Sequence, residues 1–230
     1  MRLDKYLADM HMGSRSEVKQ LIRAGKVRLR GAVEKDPGAA VGEGDAVECE
    51  GRVLEHRKNF YYMLNKPAGI LSATEDRNQK TVLDLFPEKL RRGLYPVGRL
   101  DKDTVGLLLI TDDGALGHRL LSPAHHVDKR YFLRCDLPVT EEDAECFAKG
   151  MTLADGTELM PASLELSADG AVITIREGKY HQIKRMFAAR GKEVVYLKRL
   201  SMGSLVLDPN LAEGEWRELT EEEIRSIKSE

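Results

Sequence analysis

The part of the sequence best suited to chemistry is a polar loop that carries an arginine and a carboxylate beside a predicted core strand. The loop Gly98-Arg99-Leu100-Asp101 is followed closely by the apolar run Leu107–Ile110, which predicts a buried strand. A loop held by such a strand is a typical place for catalytic groups, because the scaffold fixes the loop. A carboxylate in this position can act as a nucleophile or as a general base.

Asp101 has three other interpretations. It can be an ordinary loop residue, since Asp and Gly favour turns. It can open a calcium-binding loop, with Asp103, Gly106 and Asp112 at later positions of the template, but Val105 and the apolar run stand where further ligands are needed. It can be the nucleophile of an aspartyl-phosphate phosphotransferase. In those enzymes the nucleophile follows its strand, whereas here the carboxylate precedes the strand, so the supporting site is missing.

The elements that must position this loop belong to a predicted α+β protein of two domains. Residues 1–57 form a separate small unit, residues 58–230 form the larger domain, and the polar stretch 55–59 links them. In the larger domain, strands are predicted over 60–64, 106–111, 131–135, 171–176, 194–200 and 204–207. Helices are predicted over 115–121, 140–149, 180–190 and 220–227.

The N-terminal unit reads as two helices followed by short strands. Apolar residues at helical spacing over Leu3–Met10 predict the first helix. Ser14 and Glu17 form a capping box that predicts the start of the second helix, and Gly25 ends it. The predicted strands cover 26–30 and 46–50.

The formal net charge of −2 hides two basic regions. Residues 1–30 hold eight basic and three acidic residues, and residues 176–199 hold eight basic and two acidic residues. On the second helix, Arg15, Lys19 and Arg23 form one row at intervals of four. Like charges repel unless a polyanion offsets them, so we interpret this row as a surface for RNA phosphates. An ordinary solvated helix face is the alternative.

Composition favours a soluble globular protein, with 42% hydrophobic and 32% charged residues. The three cysteines form no C-x-x-C pair and no closed disulfide framework, which indicates a reducing compartment. We find no secretory signal and no apolar run approaching about 20 residues. We therefore expect a cytoplasmic protein with no membrane partner.

Several blocks of sequence resemble one known family. The loop Gly98–Asp101, continued by Thr104-x-Gly106-Leu107-Leu108 and Thr111-Asp112-Asp113-Gly114, resembles the signature of pseudouridine synthases of the RsuA group. The N-terminus, from Met1-Arg2-Leu3-Asp4-Lys5 to Val27-x-Leu29-x-Gly31, resembles the ribosomal-protein-S-four type of RNA-binding domain. Further blocks in the family's order are Met63-Leu64-Asn65-Lys66-Pro67-x-Gly69, Ser122-Pro123 with His125-His126, Lys129-x-Tyr131, and 177–187.

The resemblance implies a small α/β RNA-binding domain over 1–57 and a catalytic domain over 58–230 on a mixed, mainly antiparallel sheet. It implies an isomerase without a cofactor, which breaks the bond from uracil N1 to the ribose, rotates the base and rejoins it through C5. The target nucleotide must first be flipped out. The implied substrate is ribosomal RNA, most of all one uridine of 16S small-subunit rRNA, free or in a partly assembled particle.

Two alternatives stay open, namely a paralogue that modifies large-subunit rRNA and a non-catalytic RNA-binding assembly factor. We expect the protein to be a monomer.

The resemblance also assigns catalytic residues. Asp101 is the nucleophile or base, and a cation must keep it ionised, because burial alone would raise its pKa. By position that cation is Lys184, where related synthases usually have Arg. Arg185 is a possible substitute, but successive helix residues point about 100° apart, so only one should reach the carboxylate. Tyr131 is expected to stack on the uracil.

The remaining site predictions concern RNA. Arg99 is expected to help flip the base. His125 and His126 lack Cys or carboxylate partners at ligand spacing, so no metal site is predicted. RNA contacts are expected from the following residues: Arg99, Arg2, Lys5, Arg15, Lys19, Arg23, Lys26, Arg28, Lys66, Lys129, Lys179, His181 and Arg185.

Overall fold

The computed structural model describes residues 1–54, 59–122 and 125–230, which form two compact units. The first unit combines Met1–Asn59 with Phe86–Gly93, and the second combines Phe60–Leu85 with Leu94–Glu230. The domain boundary that we predicted between residues 57 and 58 lies outside the described residues, as do most of the predicted linker and Pro123 of the family block. The sequence did not predict that 86–93 belongs with the N-terminal unit.

The first unit packs two helices, α1 (Leu3–Asp9) and α2 (Arg15–Arg23), with a small antiparallel sheet around one apolar core. The Ser14 hydroxyl accepts from the Glu17 N–H while the Glu17 carboxylate accepts from the Ser14 N–H, which confirms the predicted capping box. The strands are β1 (Val27–Leu29), β2 (Ala32–Val33), β3 (Val47–Cys49) and β4 (Arg52–Leu54). Their order in the sheet is β2-β1-β3-β4.

The second unit is built on one large sheet. Its strands are β5 (Tyr61–Lys66), β6 (Tyr95–Pro96), β7 (Val105–Thr111), β8 (Lys129–Cys135), β11 (Ser163–Ser167), β12 (Gly170–Ile175), β13 (Val194–Met202), β14 (Leu205–Val206) and β15 (Trp216–Glu218), while β9 (Met151–Thr152) and β10 (Glu158–Leu159) pair separately. The order is β11-β12-β8-β13-β7-β5-β15, with β14 beside β13 and β6 beside β7. Strands β7 and β13 run parallel. The other pairings described in this sheet are antiparallel, which confirms the predicted mixed, mainly antiparallel sheet.

Helices pack on this sheet through their apolar faces. They are α3 (Gly114–Leu121), α4 (Glu141–Ala148), α5 (Gln182–Ala188) and α6 (Glu221–Lys228), with 3₁₀ turns at Val82–Leu85 and, in the first unit, Glu88–Leu90. Leu116 and Leu120 of α3 and Ile227 of α6 join Leu107 and Leu109 of β7 in a buried cluster. A second capping box, predicted at Thr220 and Glu223, is confirmed at the start of α6.

Strands β7 and β13 approach each other closely at Gly106. This residue has φ of +102°, and a Cβ on it would lie 2.3 Å from the carbonyl oxygen of Arg199, which is too short for any side chain. Arg199 is itself buried and donates from Nε to the Leu107 carbonyl at 2.6 Å. The chain that leaves the Asp101 loop is therefore fixed to β13 within a few residues.

The sequence did not predict β2, β4, β6, β9, β10, β11 and β15. Strands of two or three residues carry no usable periodicity, and β11 is a mostly exposed strand at the sheet edge. Helix α5 begins at Gln182 rather than at 180, because His181 adopts a left-handed conformation at the N-cap. Within the described part of the chain, no helix is long and apolar enough to cross a membrane.

Candidate active site

The loop that carries Asp101 joins β6 to β7 and is held by its own hydrogen bonds. The Ser72 hydroxyl donates to the Leu100 carbonyl at 2.9 Å and accepts from the Leu100 N–H at 3.0 Å. The Thr104 N–H donates to the Asp101 carbonyl at 3.1 Å, closing a turn just before β7. Asp101 is thus presented on a fixed turn rather than on a free loop.

Lys66, the last residue of β5, ties the far side of this loop. Its buried ammonium donates to the carbonyls of Pro67, Lys102 and Thr104 at 3.0, 3.3 and 2.9 Å. Burial lowers the pKa of Lys66 to about 8. We predicted an RNA contact here, and that prediction is wrong for this structure, because the ammonium has no surface on which to meet a phosphate. Lys66 instead positions the loop.

The loop faces a cavity of about 70 Å³ that lies wholly within the second unit. The predicted catalytic residues Asp101, Tyr131 and Lys184 all line it, although they come from a loop, from β8 and from α5. The lining residues are Arg99, Leu100, Asp101, Thr104, Tyr131, Ile175, Gly178, Lys179, His181, Gln182, Ile183, Lys184 and Leu197.

The Asp101 carboxylate lies between two nitrogen groups. Lys184 Nζ is 3.4 Å from Oδ2, and His181 Nε2 is 3.5 Å from Oδ1. Lys184 also holds Asp103, with its Nζ at 2.5 and 2.7 Å from the two carboxylate oxygens. The Asp101 and Lys184 side chains are 27% and 24% exposed, so their attraction is only partly screened by water. A cation is thus present where an ionised catalytic carboxylate needs one.

Lys184 and its neighbour Arg185 point to different partners. Arg185 pairs with Asp155, in the turn between β9 and β10, and does not line the cavity. This separation follows the rotation of about 100° between successive helix residues. Tyr131, only 7% exposed, lines the cavity from β8, whereas Arg99 is exposed at the cavity.

Comparisons with known proteins match the two units to two families. Residues 60–189 match the RNA pseudouridylate synthase model, and residues 1–47 match the S4 domain model. The chain belongs to the RNA pseudouridylate synthase family. The predicted resemblance is therefore confirmed.

Individual relatives of this synthase match it along nearly its full length. An uncharacterized RNA pseudouridine synthase of Bacillus subtilis is 48% identical and covers 99% of this chain and 98% of its own length. Ribosomal small subunit pseudouridine synthase A of Escherichia coli is 43% identical, covering 99% and 100%. A crystal structure of a pseudouridylate synthase is 39% identical with a TM-score of 0.71, covering 99% of both chains.

The synthase buries a second lysine that we predicted to contact RNA. Lys129 is 8% exposed, and its ammonium donates to the Val127 carbonyl at 2.9 Å. Burial, and then the charge of Arg199, lower the pKa of Lys129. The prediction of a phosphate contact is wrong here. Alternate residues of strand β8 are buried, and Lys129 lies on the same buried face as Tyr131 and Leu133. The two-residue period of a strand could therefore have predicted that Lys129 is buried.

Gln182 also lines the synthase cavity, which the sequence did not predict. This buried residue accepts from the Lys179 N–H at 3.0 Å and donates to Glu177 at 2.9 Å, which fixes the turn before α5. The signal was a polar residue among the apolar positions Ile183, Met186 and Phe187 of one helix face. The Lys179 ammonium, a predicted RNA contact, donates to the Glu158 carbonyl and lies 3.5 Å from Glu177.

In the first unit, the predicted phosphate contacts divide into two groups. Arg2 and Lys19 pair with Asp4, and Lys26 pairs with Glu50. The other group is exposed and has no ion pair within the described residues; it contains Lys5, Arg15, Arg23 and Arg28. The row on α2 therefore keeps two free guanidinium groups, while Lys19 between them is engaged.

The described histidines and carboxylates do not cluster as metal ligands do. His125 and His126 are exposed. Across 1–54, 59–122 and 125–230, no group of three or more His, Cys, Asp or Glu side chains is placed to hold a metal ion. The calcium-loop template is not formed, because Val105–Thr111 is a fully buried strand whose side chains cannot wrap a cation.

Proposed function

We propose that this synthase isomerises one uridine of ribosomal RNA and that the uridine lies in small-subunit (16S) rRNA. The observation that carries the proposal is the Asp101 carboxylate facing a cavity beside Lys184 and His181, in a chain of the pseudouridylate synthase family. The choice of small-subunit rRNA is supported by the relatives named ribosomal small subunit pseudouridine synthase A, at 43–44% identity over 99% of this chain.

In the proposed reaction Asp101 acts on a uridine that has left its base stack. The bond between N1 and the ribose C1′ breaks, the uracil turns, and C5 bonds to C1′. C5 then loses its proton and N1 gains one, so the product is an isomer of the substrate. As nucleophile or as base, Asp101 must be ionised, and Lys184 at 3.4 Å stabilises that form.

Other residues of the cavity are proposed to hold the base and to open its stack. Tyr131 offers a buried aromatic ring on which the uracil can stack. Arg99 is exposed at the cavity, where its guanidinium can occupy the place that the flipped base leaves. His181 and Arg185 are proposed to contact the RNA strand near the target.

The two domains are proposed to have different roles. Residues 1–57 bind RNA, chiefly through the unpaired cations on their surface, and residues 58–230 carry the reaction. The substrate is proposed to be rRNA in the cytoplasm, either free or in a partly assembled small-subunit particle. The enzyme is proposed to act as a monomer that requires no cofactor.

The test maps pseudouridine in unmodified small-subunit and large-subunit rRNA, free and as partly assembled particles, after incubation with the enzyme. We expect one new pseudouridine in small-subunit rRNA. Asp101→Ala should abolish it, by at least about 1,000-fold in rate, while RNA binding persists. The matched control is Asp169→Ala, which removes an exposed carboxylate from the turn between β11 and β12.

A new site in large-subunit rRNA would retain the reaction and overturn the proposed substrate. Binding of rRNA without modification of any substrate would overturn the reaction and favour a non-catalytic assembly factor. Full activity in Asp101→Ala would remove this carboxylate from the mechanism.

A further inference from the structure

An aromatic side chain at the rim of the cavity has no role in the proposed reaction. Tyr180 is 76% exposed, which is more than any other large apolar side chain recorded as exposed in the described part of the chain. It lies in the turn between β12 and α5, beside the residues that line the cavity. A large ring displayed to water at the edge of an RNA site commonly serves as a stacking surface for a base.

The ring of Tyr180 is held in place by its neighbour. It stacks on the His181 imidazole with ring centroids 3.8 Å apart and planes 19° apart. Successive side chains point well apart in helices and strands, so this stack needs an irregular backbone. His181 provides it, with φ of +47°, a conformation that residues other than glycine rarely adopt.

The turn that bears the two rings is fixed on both sides. Gln182 accepts from the Lys179 N–H at 3.0 Å, and Arg185 donates to the Tyr180 carbonyl at 3.5 Å. The inner ring, His181, reaches within 3.5 Å of the Asp101 carboxylate. The two stacked rings therefore extend from the Asp101 carboxylate outward to solvent, and the turn that bears them is fixed.

We propose that Tyr180 and His181 form a stacking platform for the nucleobase next to the target uridine in the RNA strand. One face of the Tyr180 ring is covered by His181, and the high exposure of Tyr180 leaves the other face for a base. The inference rests on the proposed function, since it assumes that a uridine reaches Asp101.

The position of the platform decides which nucleotide it holds. The target uracil must lie in the cavity against Asp101, and the His181 ring separates that carboxylate from Tyr180. A base on the open face of Tyr180 thus belongs to a flanking nucleotide. Stacking tolerates any base, because every base has a π face. The platform therefore fixes the strand beside the flipped nucleotide without reading its sequence.

The test measures release of tritium from 5-tritiated uridine in an unmodified small-subunit rRNA transcript, because C5 loses its hydrogen when it bonds to C1′. Tyr180→Ala should raise KM by about 5- to 150-fold, the loss expected for one stacked base. Its kcat should change by less than about threefold, since stacking is made before and during the reaction alike. Tyr180→Phe keeps the ring and should recover the KM lost in Tyr180→Ala. Val206→Ala removes an exposed apolar side chain from β14 and is the matched control.

A second arm identifies the base that stacks. Synthetic RNA around the mapped uridine would carry an abasic nucleotide immediately 5′ or 3′ of it. With the wild-type enzyme, one of the two substitutions should raise KM as much as Tyr180→Ala does. With Tyr180→Ala, the same substitution should add nothing further, because the partner ring is already gone. The platform would be overturned if the abasic substitution and Tyr180→Ala raised KM multiplicatively, or if Tyr180→Ala left KM unchanged.

Equilibrium binding of the same transcript separates failure of the platform from failure of the proposed function. Absence of tritium release with wild-type enzyme, from the free transcript and from partly assembled small-subunit particles alike, would overturn the proposed function alone. In that case the platform is judged by Kd, which Tyr180→Ala should weaken and Tyr180→Phe should recover. Equal Kd values for wild type and Tyr180→Ala would overturn the platform, whatever the outcome for catalysis.

Discussion

Two regions of the chain, residues 1–30 and 176–199, hold eight basic residues each and use them differently. In the first region, four of these residues have no carboxylate partner among the described residues, namely Lys5, Arg15, Arg23 and Arg28. In the second, six are in ion pairs: Arg176, Lys179, Lys184, Arg185, Arg190 and Lys192. Arg199 is buried against a main-chain carbonyl.

This difference shows that the number of basic residues in a stretch of sequence does not predict whether they stay on the surface or form ion pairs within the fold. The N-terminal cations stay on a surface, where phosphates can replace water around them. Several later cations meet carboxylates distant in sequence, such as Asp101, Asp143 and Asp155, and join separate elements of the second unit. Among the described residues, the first region thus leaves half of its basic residues without an ion pair, whereas the second uses most of its own to join elements of the fold.

The largest effect that would sharpen this comparison is expected at Lys184. Lys184→Met removes the cation nearest to Asp101, so kcat should fall about 100-fold with little change in KM. Lys184→Arg should recover part of this loss. Arg185→Met removes the next cation along, which pairs with Asp155, and should raise KM more than it lowers kcat. Steady-state rates of tritium release give both constants. Equal kcat losses in the two Met variants would break the distinction between the neighbours.

A smaller effect is expected at the buried carboxylate Asp143, which accepts hydrogen bonds from Arg190 and Lys192. Asp143→Asn leaves two cations without their partner and should lower the free energy of unfolding by about 2–3 kcal/mol. Urea unfolding of both proteins measures the difference. An unchanged midpoint would show that these cations are not structural, and region 176–199 would then resemble the N-terminal region.

The same pair predicts a dependence on pH. Burial opposes ionisation of Asp143, but hydrogen bonds from Lys192, from the Thr140 N–H and from Arg190 outweigh it and lower its pKa from 3.8 to about 2. A lowered carboxyl pKa contributes stability above the unfolded value and loses it as pH falls to the folded value. The difference between wild type and Asp143→Asn should therefore shrink between about pH 4 and pH 2.

The smallest effects are expected on the N-terminal surface. Arg15→Gln, Arg23→Gln and Arg28→Gln should each weaken rRNA binding by about 3- to 5-fold and reduce the slope of log Kd against log salt by about 0.7–0.9. Arg30→Gln is the matched control, because Arg30 is paired with Asp45 and should contribute less. Filter binding over a range of salt concentrations measures both quantities. A larger effect for Arg30 than for the unpaired arginines would break the comparison.

Much of the fold could be predicted because its elements are locally encoded. The two capping boxes and the apolar run of β7 identify their elements from a few adjacent residues. The meeting of Asp101, Tyr131 and Lys184 could be expected only through the family resemblance, since no local pattern joins a loop, a strand and a helix. Nothing in the composition of 86–93 predicted that this segment belongs to the first unit.

The errors at Lys66 and Lys129 share a physical cause. A lysine is assumed to be exposed because burial of its charge is costly. Here each ammonium is compensated by main-chain carbonyls, which contribute no residue type that a sequence motif could reveal. Lysines within buried strands are therefore the positions at which prediction from charge alone fails.

The enclosed amine of Lys66 has a practical consequence for chemical labelling. Its side chain has no accessible surface, so an acylating reagent that reacts with exposed amines can reach it only when the surrounding loop opens. The labelling rate of Lys66 Nζ therefore measures how often the segment around Asp101 opens. Substrate that occupies the neighbouring cavity should lower this rate, so the buried lysine can report motion of the cavity.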